Sequence, residues 1–219
     1  MSTETNEIEI DELQMDALRE LGNVGASHAS TALTKLVRTD ILIDVTECRV
    51  MPMPALPNRF GELGSIFATL RIDIDPEGSR IFMVFPGDVA TYLSDLLLSR
   101  PHKAGRQMTE QDRDVMVEMG DICIRQYLVP IAKFLSMEII PNSPEVSIDR
   151  ITDRMRFPEM IRPLRDNDLV RVETNFVDKK KRFQGAIIFA PSRNIQMRTF
   201  KRFGVDAESQ AAMMSKFGL

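Results

Sequence analysis

Tryptophan is absent from the 219 residues, and tyrosine, cysteine and histidine occur only twice each. Cys48 and Cys123 form no CxxC motif and no Cys/His cluster, so they read as reduced core thiols rather than a disulfide. His28 falls in a helical pattern and His102 in a polar loop beside Pro101, and neither has a second His or Cys at ligand spacing, which excludes a transition-metal site. The same scarcity excludes a Ser-His-Asp or Cys-His hydrolase, and no GxxxxGK[ST] or GxGxxG loop is present to hold a nucleotide. Basic excess is missing too: 28 Lys and Arg against 32 Asp and Glu give a net charge of −4 and a pI near 5.4, so nucleic acid is not an expected partner. No apolar run approaches the roughly 20 residues that span a bilayer. The stretch Met1 to Ile10 is acidic rather than basic and then apolar, and the expectation is a cytoplasmic protein without membrane insertion. What is present, 43% hydrophobic and 27% charged residues, suits a folded domain with a sizeable core whose chemistry rests on carboxylates, amides and basic side chains.

From Asp11 to Val37 apolar residues recur at spacings of three and four, through Leu13, Ala17, Leu21, Val24, Ala32 and Leu36, which predicts a long amphipathic helix. Asp11 and Gln14 have the spacing of a capping box, and Glu7, Glu9, Asp11 and Glu12 complement the helix dipole. β-formers follow at Ile41, Ile43 and Val45, then the Pro-punctuated Met51 to Pro57. Ser65 to Asp73 and Arg80 to Phe85 read as a hairpin about Asp75-Pro76-Glu77-Gly78, and Asp88 to Leu98 as a helix before the polar linker Ser99 to Met108. A second long helix begins at Thr109, capped with Asp112, and runs toward Leu135 with an expected kink at Pro130. Strands are expected at Met137 to Ile140, Leu169 to Val177 and Phe183 to Phe189, and a last helix near Ser192.

The second half repeats the order of the first. Glu20-Leu21-Gly22-Asn23-Val24 aligns with Glu118-Met119-Gly120-Asp121-Ile122 at an offset of 98 residues, which Asp16 and Asp114, and Lys35 and Lys133, share. The later pair Phe85-Pro86 and Ala190-Pro191 corresponds at 105. We read an internal duplication: one domain over about 9–205, built of repeats at about 9–103 and 104–205, with 206–219 as a C-terminal tail. The expected fold is α/β (α+β), a pseudo-twofold duplicated unit whose two long helices carry the sites and pack on a continuous, mainly antiparallel sheet.

At about 100° per residue, Asp16, Glu20, Asn23 and Ser27 share one stripe. A polar stripe facing solvent is ordinary for an amphipathic helix. Here it is accompanied by Gly22 and Gly25, each costing about 1 kcal/mol relative to Ala inside a helix, which suggests a close approach by packing or by a partner. Its Asp, Glu and Gly also recur in the other half. An amide is neither nucleophile nor useful base, but it can orient a water, and phosphoryl transfer needs chiefly positioning and charge neutralisation. The pair makes chemical sense if the phosphorylated group, its metal and its Lys lie on another protein.

At these residues the sequence resembles the CheC family of chemotaxis phosphatases, related to CheX and to the flagellar switch protein FliY. The resemblance rests on Asp16-x-x-x-Glu20-x-x-Asn23 within Glu20-Leu21-Gly22-Asn23-Val24-Gly25, the continuation Ala29-Ser30-Thr31-Ala32-Leu33, the Glu62-Leu63-Gly64-Ser65 pattern before the hairpin, and Glu118. It covers about Glu9 to Val205. It implies dephosphorylation of the aspartyl phosphate of CheY, with Glu20 engaging the regulator's active-site Lys and Asn23 placing the water. Asp16 and Asp114 would be supporting residues, no cofactor would be bound by this chain, and Mg²⁺ would arrive on phosphorylated CheY. The family also binds CheD, a receptor-modifying deamidase.

The second copy, Glu118 and Asp121, departs from the pattern: a carboxylate replaces the amide, and Arg125 stands where the first helix has Ser27. A carboxylate beside an aspartyl phosphate adds repulsion and only accepts hydrogen bonds, so this site is expected to be degenerate, with Glu118 left to dock a partner. The alternative to an enzyme is a non-catalytic adaptor binding CheD, CheY or a motility-switch component. Among other features, Met15, Met116, Met119 and Met137 read as core filling, Lys179 to Arg182 as a solvated hairpin tip, and Met213-Met214 with Phe217 as a partner helix or a frayed end.

Overall fold

The computed structural model describes residues 10–52, 65–74, 78–150, 168–178 and 184–217. The first helix, α1, spans Glu12–Val37, and its start is fixed by the capping box expected at Asp11 and Gln14. Strands β1 (Ile41–Pro52), β2 (Ile66–Asp73) and β3 (Arg80–Pro86) follow, then helix α2 (Gly87–Leu97). Helix α3 (Glu110–Leu135) opens on a capping box between Thr109 and Asp112 and continues as helix through Pro130. Strands β4 (Glu145–Arg150), β5 (Asp168–Asp178) and β6 (Gln184–Ala190) precede helices α4 (Arg193–Phe203), capped by Ser192, and α5 (Ala207–Phe217).

The six strands form one sheet in the order β1-β5-β6-β3-β2-β4, every pairing antiparallel. Exchanging β1 with β4, β2 with β5 and β3 with β6 turns this order into its own reverse. A twofold relation therefore runs between β3 and β6, and the first strand of each half pairs with the hairpin of the other. The long helices obey the same relation: α1 and α3 each have 26 residues, start and stop at the 98-residue offset, and end on a left-handed non-glycine residue, Arg38 at φ 52° and Ser136 at φ 51°.

The core lies where Leu18, Leu21, Ala29 and Leu33 of α1 and Met119, Cys123, Tyr127 and Ile131 of α3 meet alternate sheet residues, Leu70, Ile72, Ile81, Met83, Phe85, Ile187 and Phe189. Backbone approach is close at two glycines. A Cβ on Gly25 would lie 2.9 Å from the Tyr127 ring, and one on Gly120 would lie 2.4 Å from Leu70 Cδ2. Gly25 and Gly120 thus serve packing within the protein. Polar groups of α1 also hold the chain that follows it: Ser30 Oγ donates to the Ile41 carbonyl at 2.8 Å, and the Ile41 amide donates to Thr34 Oγ1 at 3.0 Å.

Two expectations are corrected and two are refined. Met137 to Ile140 is not a strand: pairing begins at Glu145, beyond Pro141 and Pro144, which have no amide hydrogen to give a ladder. Val24 and Leu13 do not join the apolar face of α1 but are exposed, at 38% and 59%. Cys123 is buried, whereas Cys48 is only half-buried; both are free thiols. Part of the segment read as a tail is helix α5, tied to the start of α1 where Gln210 Nε2 reaches Asp11 Oδ2 at 3.3 Å, with Met213 and Met214 exposed. Glu62 to Gly64 and Lys179 to Arg182 lie outside the described residues.

The polar linker Ser99 to Met108 proves to be a clasp between α2 and α3. Buried Asp95 accepts from Arg106 Nη2 at 2.7 Å and Arg100 Nε at 2.5 Å, with His102 Nδ1 2.9 Å away. Buried Asp112 accepts from Arg106 Nη1 at 2.5 Å, from Arg100 and from the Thr109 amide. Burial pushes both carboxyls up, but these hydrogen bonds outweigh it, holding Asp95 far below and Asp112 at about 2 against 3.8 for an ordinary aspartate.

Three outcomes follow from this packing. Breaking the clasp with Arg106→Ala should destabilise the protein by about 3 kcal/mol in urea unfolding at neutral pH, because two buried carboxylates lose a shared cation. Since Asp112 binds its proton more weakly folded than unfolded, the clasp contributes fully above about pH 4, and wild-type stability should fall on acidification toward pH 2. Gly25→Ala, favourable by about 1 kcal/mol in an open helix, should instead lower the melting temperature, and adding Tyr127→Leu should recover most of the loss.

Candidate functional site

The stripe on α1 stands where its spacing predicts. Asp16, Glu20 and Ser27 are exposed and Asn23 is half-buried, while Leu21, Gly22, Gly25 and Ala26 turn inward. Asn23 Nδ2 donates to Glu20 Oε2 at 3.4 Å, a long bond across one helical turn. Its consequence is orientation. A carboxylate neighbour takes the amide's NH₂ side, because two oxygens facing one another would repel, so Asn23 Oδ1 is the atom turned away to accept from an incoming water. Asp16 is paired with Arg19 at 2.8 Å, an exposed ion pair one turn before Glu20.

Val24 was missed as part of this surface. It lies about 40° around the helix from Glu20 at 100° per residue, on the side away from Asn23 and Ser27, and gives the polar stripe an apolar edge. The wheel angle carried the signal; counting Val24 as apolar obscured it.

Helix α3 presents its copy in the same way: Asp114, Glu118 and Arg125 are exposed and Asp121 is half-buried. The bonding differs. Arg125 Nε donates to Asp121 Oδ2 at 2.8 Å, and Asp121 Oδ1 is covered and meets no donor among the described residues. The hydrogen bond that Arg125 donates to Asp121 raises the pKa of Arg125, so the guanidinium is charged at any working pH. The carboxylate–amide pair of α1 is replaced on α3 by a carboxylate and an ion pair.

Neither helix offers a nucleophile beside a base. Among the described residues no group of three or more His, Cys, Asp and Glu is placed to hold a metal ion, and no helix is long and apolar enough to cross a membrane. His28 is exposed on α1, and His102 is engaged in the clasp. What the α1 stripe can do chemically is accept a cation at Glu20 and orient a water at Asn23.

No family model matches the sequence. The CheY-P phosphatase CheC of Bacillus subtilis (strain 168) is 32% identical over 146 residues, covering 64% of this chain and 68% of that protein. Among solved structures, FliY of Thermotoga maritima superposes with a TM-score of 0.72 at 17% identity over 90% of this chain and 98% of that one. CheX of Desulfovibrio desulfuricans superposes with a TM-score of 0.52 at 10% identity over 78% of this chain and 98% of that one. The two superpositions carry the fold, six-stranded antiparallel sheet and long helices included, and the identity to CheC carries the kinship: this chain belongs to the CheC/CheX/FliY superfamily of chemotaxis proteins.

Proposed function

We propose that this protein hydrolyses the aspartyl phosphate of a CheY-type response regulator, with helix α1 laid against the regulator's active site. The observation that carries the reading is the exposed hydrogen bond from Asn23 Nδ2 to Glu20 Oε2 at 3.4 Å, which engages the amide's NH₂ and leaves Oδ1 to accept from a water. Kinship with a CheY-P phosphatase supports the choice of substrate. Glu20 receives the regulator's Lys, fixing the helix over the phosphorylated aspartate. Asn23 Oδ1 accepts a hydrogen bond from a water and holds it in line with the scissile bond. The water oxygen bonds to phosphorus as the bond to the aspartate oxygen breaks, yielding free aspartate and inorganic phosphate; the water's proton leaves with the phosphate or to solvent. Such a transfer asks the protein for position and charge rather than covalent chemistry. Mg²⁺ belongs to the regulator and is part of the substrate.

A second reading, a chemotaxis adaptor binding CheD, CheY or a motility-switch component without hydrolysis, draws on the α3 copy, where the amide is missing.

Decay of an acyl-phosphorylated CheY with Mg²⁺ separates the two. Wild-type protein should shorten the lifetime, Asn23→Ala should remove most of that gain, and Glu20→Ala should weaken binding of the regulator. Retention of half or more of the gain by Asn23→Ala would overturn the assigned role of the amide. Binding with an unchanged lifetime would make the protein an adaptor.

A further inference from the structure

We propose that the Asp121–Arg125 ion pair is a latch that keeps the α3 copy from acting on the phosphorylated regulator, and that both residues must be changed for that copy to act. The inference rests on the phosphatase reading above and deepens it.

The two helices share a frame and present the same four stripe positions, of which Asp16 and Glu20 are repeated as Asp114 and Glu118 while Asn23 and Ser27 become Asp121 and Arg125. Length, caps, left-handed ends and the exposure of the four stripe positions agree at the 98-residue offset. Glycine packing holds both backbones down, α1 on Tyr127 and α3 on Leu70. Glu118 is exposed as Glu20 is. Where Asn23 bonds back to Glu20, Asp121 instead bonds forward to Arg125 at 2.8 Å, leaving Glu118 outside the pair and Asp121 Oδ1 covered. Ser27, the counterpart of Arg125, leaves the α1 stripe low and uncharged at that turn; the guanidinium occupies it on α3.

Charge makes the two substitutions interdependent. The incoming group presents an anionic phosphoryl flanked by cations, its Mg²⁺ and its Lys. With Asp121 changed alone, Arg125 loses its neutralising partner and repels those cations. With Arg125 changed alone, Asp121 is left as an unpaired carboxylate that repels the phosphoryl group and offers no donor. Only the pair of changes removes both of these charges and leaves an amide beside Glu118.

The test uses the full chain carrying Asn23→Ala, so that α1 is silent, and follows regulator dephosphorylation with Asp121→Asn, Arg125→Ser or both added, each variant's fold being checked by its melting curve. Asp121→Asn and Arg125→Ser singly should stay within about 2-fold of the Asn23→Ala parent, while the two together should raise the added rate about 5-fold or more, a coupling that independent sites would not show. Full recovery from Asp121→Asn alone would overturn the latch, as would no recovery from the pair. A second readout is titration with beryllofluoride-activated regulator: one bound per chain in the wild type and two in Asp121→Asn/Arg125→Ser with Asn23 intact. If wild type leaves the regulator's lifetime unchanged, the phosphatase reading fails and this stoichiometry decides the latch; a second equivalent appearing supports it and its absence overturns it.

Discussion

Backbone contact at Gly25 and Gly120 is the constraint on which the rest of the molecule depends. Each glycine lets a long helix sink where a methyl group would strike Tyr127 or Leu70. With the backbones so low, the buried arc of α1 is filled by Ala17, Ala26 and Ala29 beside the larger Leu18, Leu21 and Leu33, while Glu20 on the opposite arc stays exposed. The stripe of Glu20 and Asn23 is presented by that depth. A helix whose inward face is rigidly packed can hold two side chains in fixed relation without a pocket around them. Chemistry in which the partner brings the reacting groups suits such a convex presentation.

The duplicated architecture gives two such helices and places different chemistry on them. Their frames share length, capping boxes and left-handed ends, although the side chains differ within the core as well as on the stripe, Leu18 against Met116 and Ala29 against Tyr127. Exposed stripe positions can change with little cost to stability, whereas Gly120 or Cys123, packed against the sheet and within the core, cannot. One copy of a symmetric pair is thus free to drift in chemistry while the scaffold preserves its geometry.

Much of this was legible in the residues. The capping boxes at Asp11 and Thr109, the hairpin strands and the stripe at 100° spacing all follow from local rules, and the repeat offset made the twofold sheet an economical solution. What escaped depended on contacts distant in sequence. Asp95 carries no local signal of burial, yet Arg100, Arg106 and His102 fold back over it; a run of polar residues reads as a linker until its cations find buried anions. Met137 to Ile140 has the composition of a strand, but the prolines that follow delay pairing until Glu145. The Asp121–Arg125 bond is an i,i+4 contact whose spacing was readable and whose formation was not.

Strand exchange between the halves has a kinetic meaning. The β2–β3 hairpin can zip locally, but β1 finds its neighbour only in β5, Ile41 opposite Asp178, and β4 closes onto β2 from the other side. Pairings so remote along the chain are slow to form, and during synthesis β1 must wait for most of the polypeptide to emerge. Helix α1 is hooked to β1 through Ser30, Thr34 and Ile41, so its final position is set only when that outer seam closes. The earlier of the two long helices to leave the ribosome is therefore among the last elements to be fixed in place, and a chain halted short of β5 has its Glu20 and Asn23 but not the scaffold that aims them.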